Sequence, residues 1–495
     1  MEEGIIMNNT ANDSELVIGI IKTAGTNIKQ VKDNINDRLN QYNYTNMVIE
    51  VSKEIISEFA RENEISSEYD RISYYMDTGN CIRKDTNDSS VLMKGVISKI
   101  FMNRDDPDNP APKKRIAYII DSIKHPEEVN LLRRTYGSGF HLIGITSTEE
   151  RRRKYLIEEK GLTEQEVNVI LERDASESEE YGQHTQDAFQ DADYFINISD
   201  NTDEIRANIY RLIDLLFGDP FVTPTFDEYA MFMAYASSLR SADLSRQIGS
   251  VITKENEIIA SGVNDCPRYG GGLYWPEYEN GQYKDIEDGR DYMLGYDSNK
   301  IEQQKMVSKI LDSLGLEENH ENKNKLKKAG IGDLTEYGRV VHSEMEALLM
   351  CSRNNISCRG DIMYVTTFPC HNCAKHIIAA GIEKVVYIEP YPKSKALEFY
   401  KIEISQDLSE PDKVHFIPFI GVGPHRFVDL FSTSSIQWYK KTRKDNDGWK
   451  IEWNKDNASI RNPMNVFNYL ESELAAYIDY QEIVKKINLG VELNA

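Results

Sequence analysis

The stretch that decides the fold of the C-terminal half runs from His342-Ser-Glu344 to Pro369-Cys-His-Asn-Cys373. One imidazole and two thiolates in this pattern can ligate a zinc ion and leave its fourth tetrahedral position open for water. Glu344 follows the histidine by two residues, so its carboxylate can handle protons beside the metal without ligating it. The two cysteines open a predicted helix, whose dipole favours thiolate over thiol. The sequence therefore predicts a zinc site with one open coordination position.

The chemistry of such a site is hydrolytic. Zinc lowers the pKa of a bound water to about 7, so a hydroxide nucleophile is available at neutral pH. The pattern H-x-E followed by P-C-x-x-C is the signature of zinc nucleobase deaminases, in which hydroxide attacks C4 of cytosine or C6 of adenine. A structural zinc knuckle or a metal-free C-x-x-C pair is the alternative. The proline before Cys370, the upstream H-x-E and the predicted helix–strand–helix order all favour the deaminase site.

Residues 226–430 resemble the CMP/dCMP-type deaminase family. The resemblance is carried by these segments: Leu239-Arg-Ser241, Gln247-Ile-Gly249, Gly262-Val-Asn264, His342-Ser-Glu-Met-Glu-Ala347, Tyr364-Val-Thr-Thr-Phe-Pro-Cys370, Cys373-Ala-Lys375 and Ala380-Gly-Ile382. It implies a cytidine-deaminase-like α/β/α domain in which Glu344 is the catalytic proton shuttle. The ligands of the Zn²⁺ cofactor that it implies are His342, Cys370 and Cys373.

The same resemblance extends to residues that contact the substrate. Ser241 and Asn264 match family positions that contact the sugar-phosphate, and Tyr391 is expected near it. Two positions depart from the family pattern, since Ser343 replaces the usual Ala and Asp243 replaces a Cys in an R-S-x-C segment. We treat the first departure as neutral, whereas the second loosens the match around Ser241.

The N-terminal half has a different pattern. Apolar runs that read as buried strands alternate with helical patterns between residues 15 and 218. The five predicted strands are 16–21, 47–51, 115–121, 140–145 and 194–198. Alternating strands and helices predict a parallel sheet with helices on both faces. The fold class expected for the whole chain is α/β, with a P-loop-kinase-like sheet followed by the deaminase-like domain.

The turn after the first predicted strand stands where a P-loop belongs. A P-loop needs G-x-x-x-x-G-K-[ST], but five residues separate Gly19 from Gly25, and Thr26-Asn27 replaces the Lys-Ser pair. We predict that Gly19, Lys22, Gly25 and Thr26 bind a nucleotide or phosphate without phosphoryl transfer. A plain strand–helix turn shaped by glycine and a working kinase site are the alternatives.

Composition narrows the classes of function. The chain has 495 residues, with 58 basic and 81 acidic side chains and a net charge of -23, which argues against a broad nucleic-acid-binding face. No stretch reaches the roughly 18 uncharged apolar residues of a membrane helix, and no secretory signal is recognised at the N-terminus. Six cysteines are too few for a disulfide framework, which fits a reducing cytoplasm.

The predicted domains are a disordered tail over residues 1–14, the P-loop-kinase-like domain over 15–218 and the deaminase domain over 219–495. Residues 265–341 form a polar insertion, interpreted as a solvated excursion or as a regulatory nucleotide pocket or oligomer contact. This arrangement resembles the bacterial anti-phage two-domain dCTP/dCMP deaminases. That resemblance implies depletion of deoxycytidine nucleotides during phage infection, and as partners an allosteric nucleotide, a small RNA antitoxin and further copies of the chain.

Hydrolytic deamination of dCTP, dCMP or both is the function that these observations favour. One alternative is a deaminase of tRNA or single-stranded DNA, which the net charge and the lack of an aromatic-basic groove disfavour. A second is a nucleoside-monophosphate kinase with a regulatory deaminase-like domain, which the missing P-loop lysine disfavours. A third is an RNA-binding or scaffolding protein with a vestigial zinc site, which the intact Glu344 disfavours.

Overall fold

The computed structural model describes residues 13–59, 65–106, 109–175, 182, 184–389, 394–434 and 441–488. The chain divides into two compact units. One consists of Met1–Glu228 together with Ile420–Ala495, and we call it the flanking unit. The other consists of Tyr229–Phe419, and we call it the central unit. The predicted tail lies outside the described residues except for residues 13 and 14.

A six-stranded sheet forms the centre of the flanking unit. Its strands are β1 (Leu16–Lys22), β2 (Thr45–Glu50), β3 (Ile116–Ile123), β4 (Phe140–Ser147), β5 (Tyr194–Ile198) and β14 (Gly421–Val422). The order is β14-β5-β4-β1-β3-β2. All neighbouring pairs among β1 to β5 are parallel. These parallel pairs confirm the predicted parallel-rich α/β fold for this unit. The apolar runs of its strands suit such a sheet, because parallel strands are buried on both faces.

Helices connect these strands. They are α1 (Lys29–Asn40), α2 (Val51–Glu54), α3 (Glu68–Thr86), α4 (Val91–Met102), α5 (Pro126–Tyr136), α6 (Glu149–Lys154), α7 (Glu164–Ala175), α8 (Thr185–Phe189) and α9 (Thr202–Leu216). The apolar stripe of α1 and that of α9 pack into the same core as β1, as the spacing of Val31, Ile35 and Leu39 predicts.

The C-terminal segment returns to the flanking unit. β14 pairs antiparallel with β5, and it is followed by α17 (Pro424–Phe431) and α18 (Val466–Asn488). Arg104, just after α4, binds Glu473 on α18 through an ion pair of 2.7 Å whose side chains are both fully buried. The domain boundary drawn at residue 219 thus differs from the packing in the structure, where residues 420–495 belong with the N-terminal residues.

The central unit is built on a second six-stranded sheet with helices packed against it. Its strands are β6 (Gly249–Lys254), β7 (Glu257–Val263), β10 (Ile362–Thr367), β11 (Lys384–Glu389), β12 (Ile404–Ser405) and β13 (Val414–Pro418), in the order β12-β13-β11-β10-β6-β7. Besides those of the insertion described below, its helices are α10 (Phe226–Ser238), α14 (Ser343–Arg353), α15 (His371–Ala380) and α16 (Ala396–Phe399). The buried faces of α14, α15 and α16 share one core with the strands.

The predicted insertion between β7 and α14 has structure of its own. It contains a two-stranded hairpin and three helices, namely β8 (Glu277–Glu279), β9 (Gln282–Lys284), α11 (Asp291–Leu294), α12 (Ser298–Ser313) and α13 (His320–Lys328). A backbone bridge between Asp265 and Val341 joins its two ends. The insertion therefore leaves and re-enters the domain at one point, next to His342. Within the described part of the chain, the helices are too short or too polar to cross a membrane.

Candidate metal centre and active site

The histidine of the predicted site lies at the N-terminus of α14. His342 is the residue before the helix, and Glu344 lies in its first turn. The Oγ of Ser250 on β6 donates a hydrogen bond of 2.8 Å to the Ser343 carbonyl, and both residues are fully buried. This bond fixes the first turn of the helix on the sheet. The helix can approach so closely because Gly262 on β7 has no side chain.

The two cysteines lie at the N-terminus of α15. β10 ends at Thr367, and Pro369 precedes the first cysteine, which is the N-cap residue of the helix. The Cys373 backbone N–H donates to the Cys370 Sγ at 3.4 Å. Cys370 and Cys373 are therefore on one turn with both sulfur atoms directed to the same point, since the spacing of three residues returns to the same helix face.

The three predicted ligands meet in the structure. The His342 Nδ1 lies 3.4 Å from the Cys370 Sγ and 3.3 Å from the Cys373 Sγ, and all three atoms lie within 4.8 Å of one another. A tetrahedral zinc with Zn–S of about 2.3 Å and Zn–N of about 2.0–2.1 Å places its ligand atoms roughly 3.6–3.8 Å apart. The separations observed are close to those that a shared Zn²⁺ ion requires, so the donor set fits this metal.

The electrostatics of the cluster favour a cation. Hydrogen bonds from Cys373 and His342 lower the pKa of Cys370 to about 4. The hydrogen bond with Cys370 raises the pKa of His342 to about 9. The same Cys370 sulfur, together with burial and the charge of Glu344, raises the pKa of Cys373 well above its usual range. Negative charge is thus concentrated on the Cys370 sulfur, whereas Cys373 keeps its proton; a bound Zn²⁺ would displace that proton and hold both cysteines as thiolates.

Glu344 is the carboxylate beside this cluster. Its side chain is buried, and burial, followed by the charge of Cys370, raises its pKa above the usual value of a glutamate. The Ser343 Oγ donates a hydrogen bond of 3.1 Å to the Glu344 Oε2. A carboxyl group with a raised pKa can both accept and donate a proton near neutral pH.

The predicted substrate residues lie close to the histidine. The Asp265–Val341 bridge places Asn264 and His342 on neighbouring backbone positions. The Asn264 side chain accepts from the Ile248 N–H and donates to the Arg246 carbonyl, each at 2.7 Å. The Ser241 Oγ donates to the Asn264 carbonyl at 2.6 Å. Both side chains therefore hold the 241–248 loop in place. Tyr391 lies outside the described residues.

The structure also shows contributors that sequence reasoning missed. Ser250 positions the helix that carries Glu344, and nothing in the local sequence signals its role. Ser343 was treated as a neutral replacement, yet its hydroxyl contacts the Glu344 carboxylate. Arg246, in the same loop, forms an ion pair with Glu389 at the end of β11. This arginine stays partly exposed on the loop that Asn264 holds.

The turn of the flanking unit differs in part from the P-loop expectation. Gly19 lies inside β1, where an added Cβ would meet Ile123 and Phe140 at 2.6 and 2.9 Å, so it serves core packing. Gly25 lies in the turn with a φ of +80°. The Thr26 backbone N–H donates to the Thr23 carbonyl at 3.2 Å. The Lys22 ammonium is bound to the Asp121 carboxylate at 2.7 Å.

Replacing Gly262 by alanine should disrupt the active site through packing. The added Cβ would lie 2.0 Å from the Ser343 carbonyl oxygen and 2.5 Å from the Ala347 backbone nitrogen. α14 must then move away from β7, and both His342 and Glu344 move with it. We expect a destabilisation of about 1–3 kcal/mol and weaker zinc retention, measured by urea unfolding and by metal analysis.

Gly338 supplies the control for this experiment. An added Cβ there meets the Thr335 carbonyl oxygen at 3.4 Å, which is an ordinary contact distance. Gly338→Ala should leave stability and zinc content close to those of the wild type. Equal behaviour of the two variants would show that α14 does not depend on the close approach at Gly262.

These features first define a class of protein. A His-Cys-Cys donor set would leave the fourth position of a tetrahedral zinc to water, and together with an adjacent buried carboxylate in an α/β scaffold it defines a zinc hydrolase site. The family model for the cytidine and deoxycytidylate deaminase zinc-binding region matches residues 224–389. The deoxycytidylate deaminase of Enterobacteria phage T4 is 31% identical over 169 residues, which are 33% of this chain and 77% of that protein.

The chain accordingly belongs to the cytidine and deoxycytidylate deaminase family, and Zn²⁺ is the cofactor of this region. The deoxycytidylate deaminase of Mus musculus is 29% identical over 162 residues, covering 32% of this chain and 63% of that protein. A crystal structure of dCMP deaminase from cyanophage S-TIM5 in apo form matches 40% of this chain and 99% of its own, with 18% identity and a TM-score of 0.22.

Proposed function

We propose that the protein converts deoxycytidine nucleotides, dCMP, dCTP or both, to the corresponding deoxyuridine nucleotides by zinc-dependent hydrolysis. The observation that carries the proposal is the buried Glu344 carboxylate beside the converging His342, Cys370 and Cys373 donor atoms. The family membership and the relatives named as deoxycytidylate deaminases support this choice of substrate.

The chain's own residues supply the proton transfers. Bound Zn²⁺ supplies the nucleophile by lowering the pKa of a water to about 7. Glu344 takes the proton that the water loses on becoming hydroxide and delivers it to N3 as the hydroxide adds to C4 of the cytosine. The carboxyl group then moves the remaining proton of the C4 hydroxyl to the exocyclic nitrogen, which leaves C4 as ammonia, and the C4 oxygen becomes the uracil carbonyl. Its raised pKa suits a group that must hold a proton between these two steps.

Ser241, Asn264 and Tyr391 are the residues that we propose for contact with the sugar-phosphate. The hydrogen bonds of Ser241 and Asn264 hold the 241–248 loop, which lies next to His342 through the Asp265–Val341 bridge. Arg246 on this loop is paired with Glu389 and stays partly exposed, so part of its guanidinium remains accessible. An arginine held beside the site suits the 5′-phosphate of a nucleotide, because guanidinium groups form charge-assisted bonds with phosphate.

Free nucleotides suit the charge of the chain better than polynucleotides do. A net charge of -23 repels a long polyanion, whereas a single nucleotide needs only a few local donors. The two alternatives, deamination of tRNA or single-stranded DNA and nucleoside-monophosphate phosphorylation, are tested with the same protein. In the flanking unit, Thr26-Asn27 stands where a P-loop has its Lys-Ser pair. The missing lysine disfavours phosphoryl transfer.

The test is a comparison of substrates under one set of conditions. The purified full chain is incubated with CMP, dCMP, CTP, dCTP, single-stranded DNA and tRNA, and both the uracil product and ammonia are measured. We expect turnover of dCMP or dCTP and little of the polymers, with a weak salt dependence. Deamination confined to the polymers would contradict the proposal. In a parallel incubation with added ATP, formation of ADP that depends on CMP or dCMP would reveal a kinase.

The biological role that we propose is depletion of deoxycytidine nucleotides during phage infection. This part rests on the resemblance to two-domain anti-phage deaminases, which also supplies the proposed partners: an allosteric nucleotide, a small RNA antitoxin and further copies of the chain in the cytoplasm. The prediction is a fall in the dCTP and dCMP pools of infected cells that express the wild type but not Glu344→Ala.

A further inference from the structure

A cavity of about 450 Å³ opens beside the turn that follows β1. It is lined by residues 22–29 of that turn, by the end of β3 at Asp121 and by side chains of α1, α2 and α3. β1 lies between β3 and β4; the connection from β1 leads to β2 on the β3 side, whereas the connection from β3 leads to β4 on the other side of β1. Ligands of open α/β sheets bind at such a switch point, outside the carboxyl ends of the strands, and the volume is within the range of small-molecule sites.

The wall of this cavity is strongly basic, in contrast to the acidic chain as a whole. Eight basic side chains line it against four carboxylates: Lys22, Lys29, Lys32, Lys53, Arg71, Arg83, Lys124 and Lys160 against Glu50, Glu68, Asp121 and Asp174. Arg83 is further neutralised by the buried Glu128. A positive excess of this kind, inside a chain of net charge -23, focuses an attractive potential for small anions into the cavity.

The ion pairs on this wall leave cations in excess. Asp121 is shared between Lys22 and Lys32, at 2.7 and 3.0 Å. Glu50 is likewise shared between Lys32 and Lys53. Each carboxylate therefore serves two ammonium groups and leaves each of them with donors to spare. A lysine ammonium has three donors, so these pairs orient the cations without saturating them.

Glu68 is a third carboxylate of the cavity that is shared between two cations. Glu68 binds Arg71 at 2.7 Å and Lys160 at 3.2 Å. The rings of Tyr75 and Tyr155 flank these two cations, at 5.8 Å from the Arg71 guanidinium and the Lys160 ammonium respectively. This wall therefore combines donors for phosphate oxygens with flat apolar surface.

The turn itself is already occupied by a carboxylate of the protein. The Ala24 backbone N–H donates to the Asp174 Oδ2 at 2.6 Å, and the Lys124 ammonium binds the Asp174 Oδ1 at 2.5 Å. Asp174 is almost fully buried. In a P-loop the backbone N–H groups of this turn hold the phosphates. Here Asp174 occupies one such donor, and the Thr23 carbonyl oxygen accepts from a second, the Thr26 N–H, so the turn offers fewer donors to an incoming phosphate than a P-loop does.

We propose that this cavity binds a nucleoside 5′-phosphate, with its phosphate held by Lys32, Lys53 and Arg71 rather than by the backbone of the turn. The base lies against the apolar side of the cavity, where Ile72 and Tyr155 pack on the buried cluster that contains Met76, Leu156 and Ile170. The site is separate from the zinc centre and does not depend on the proposed deaminase activity. No phosphoryl transfer is part of it.

The test measures binding of ATP and AMP to the full chain by calorimetry, with inorganic phosphate as a third probe. Lys53→Glu is the main variant, because this side chain is 64% exposed and its loss should not affect folding. Replacing a charge-assisted contact by repulsion should weaken binding roughly ten- to hundredfold. Arg71→Gln should weaken binding in the same direction. Lys114→Glu, an 83% exposed lysine that does not line the cavity, is the matched control.

Each outcome decides the proposal. Nucleotide binding that is lost in Lys53→Glu and Arg71→Gln but kept in Lys114→Glu supports it. The absence of ATP and AMP binding to the wild type, or equal affinity of Lys53→Glu and Lys114→Glu, overturns it. Inorganic phosphate that binds as tightly as AMP overturns the assignment of a nucleotide. The deaminase assay is run on the same samples, so a failure of the proposed function is seen separately.

Discussion

Glu344→Gln is expected to abolish deamination while the chain keeps its zinc and its fold. The amide has nearly the shape of the carboxylate but can neither take the proton from the attacking hydroxyl group nor pass it on. A positioned acid–base group contributes about 10²–10⁴-fold, and a residue that serves two transfers should reach or exceed this range. The measurements are kcat on dCMP and dCTP and the zinc content of the purified variant.

Glu346→Gln is the matched control for this experiment. Glu346 lies on the same helix, is also buried and forms an ion pair with Arg353. Its replacement perturbs α14 to a comparable degree without touching the proton pathway. We expect kcat of this variant to stay within a few-fold of the wild type at a temperature where it is folded. Near-normal turnover of Glu344→Gln would show that another group moves the proton.

The zinc site was predictable because its determinants are local. His342 and Glu344 lie in one helical turn, and Cys370 and Cys373 lie in another. Each pair is fixed by the geometry of a helix N-terminus, so spacing in the sequence translates directly into position. The helices themselves are packed against strands with clear apolar runs, such as β10 and β11.

The domain organisation could not be derived in the same way. β14 has two residues, too few for any hydrophobic period, yet it pairs with β5 more than 200 residues earlier. The buried Arg104–Glu473 pair joins residues 369 positions apart. Such contacts depend on the assembled unit, since these segments come together only when distant parts of the chain have packed. For the same reason, the spacing of the glycines in the turn did not predict the hydrogen bond between Ala24 and Asp174. This bond changes the chemistry of the turn, because it occupies a backbone donor.

Cys370→Ser is expected to remove the metal and the activity together. Wild-type protein should contain about one zinc per chain, as a three-ligand catalytic site implies. A serine hydroxyl does not ionise at neutral pH, so the variant loses a thiolate ligand and keeps only His342 and Cys373. Metal analysis after dialysis against a mild chelator, together with dCMP and dCTP turnover, measures both effects.

The structure supplies a control with the same chemistry. Cys358 is a free, partly buried cysteine of the central unit, and its Sγ lies 4.0 Å from the Ala380 carbonyl oxygen. Cys358→Ser makes the same replacement of sulfur by oxygen outside the cluster of His342, Cys370 and Cys373, so it should retain zinc and turnover. Both variants lose one thiol. If only Cys370→Ser loses zinc, the loss must come from the removal of a metal ligand and not from the replacement of a cysteine as such. Stoichiometric zinc in the Cys370→Ser protein would show that the ligand set is wrong, even if its activity were low.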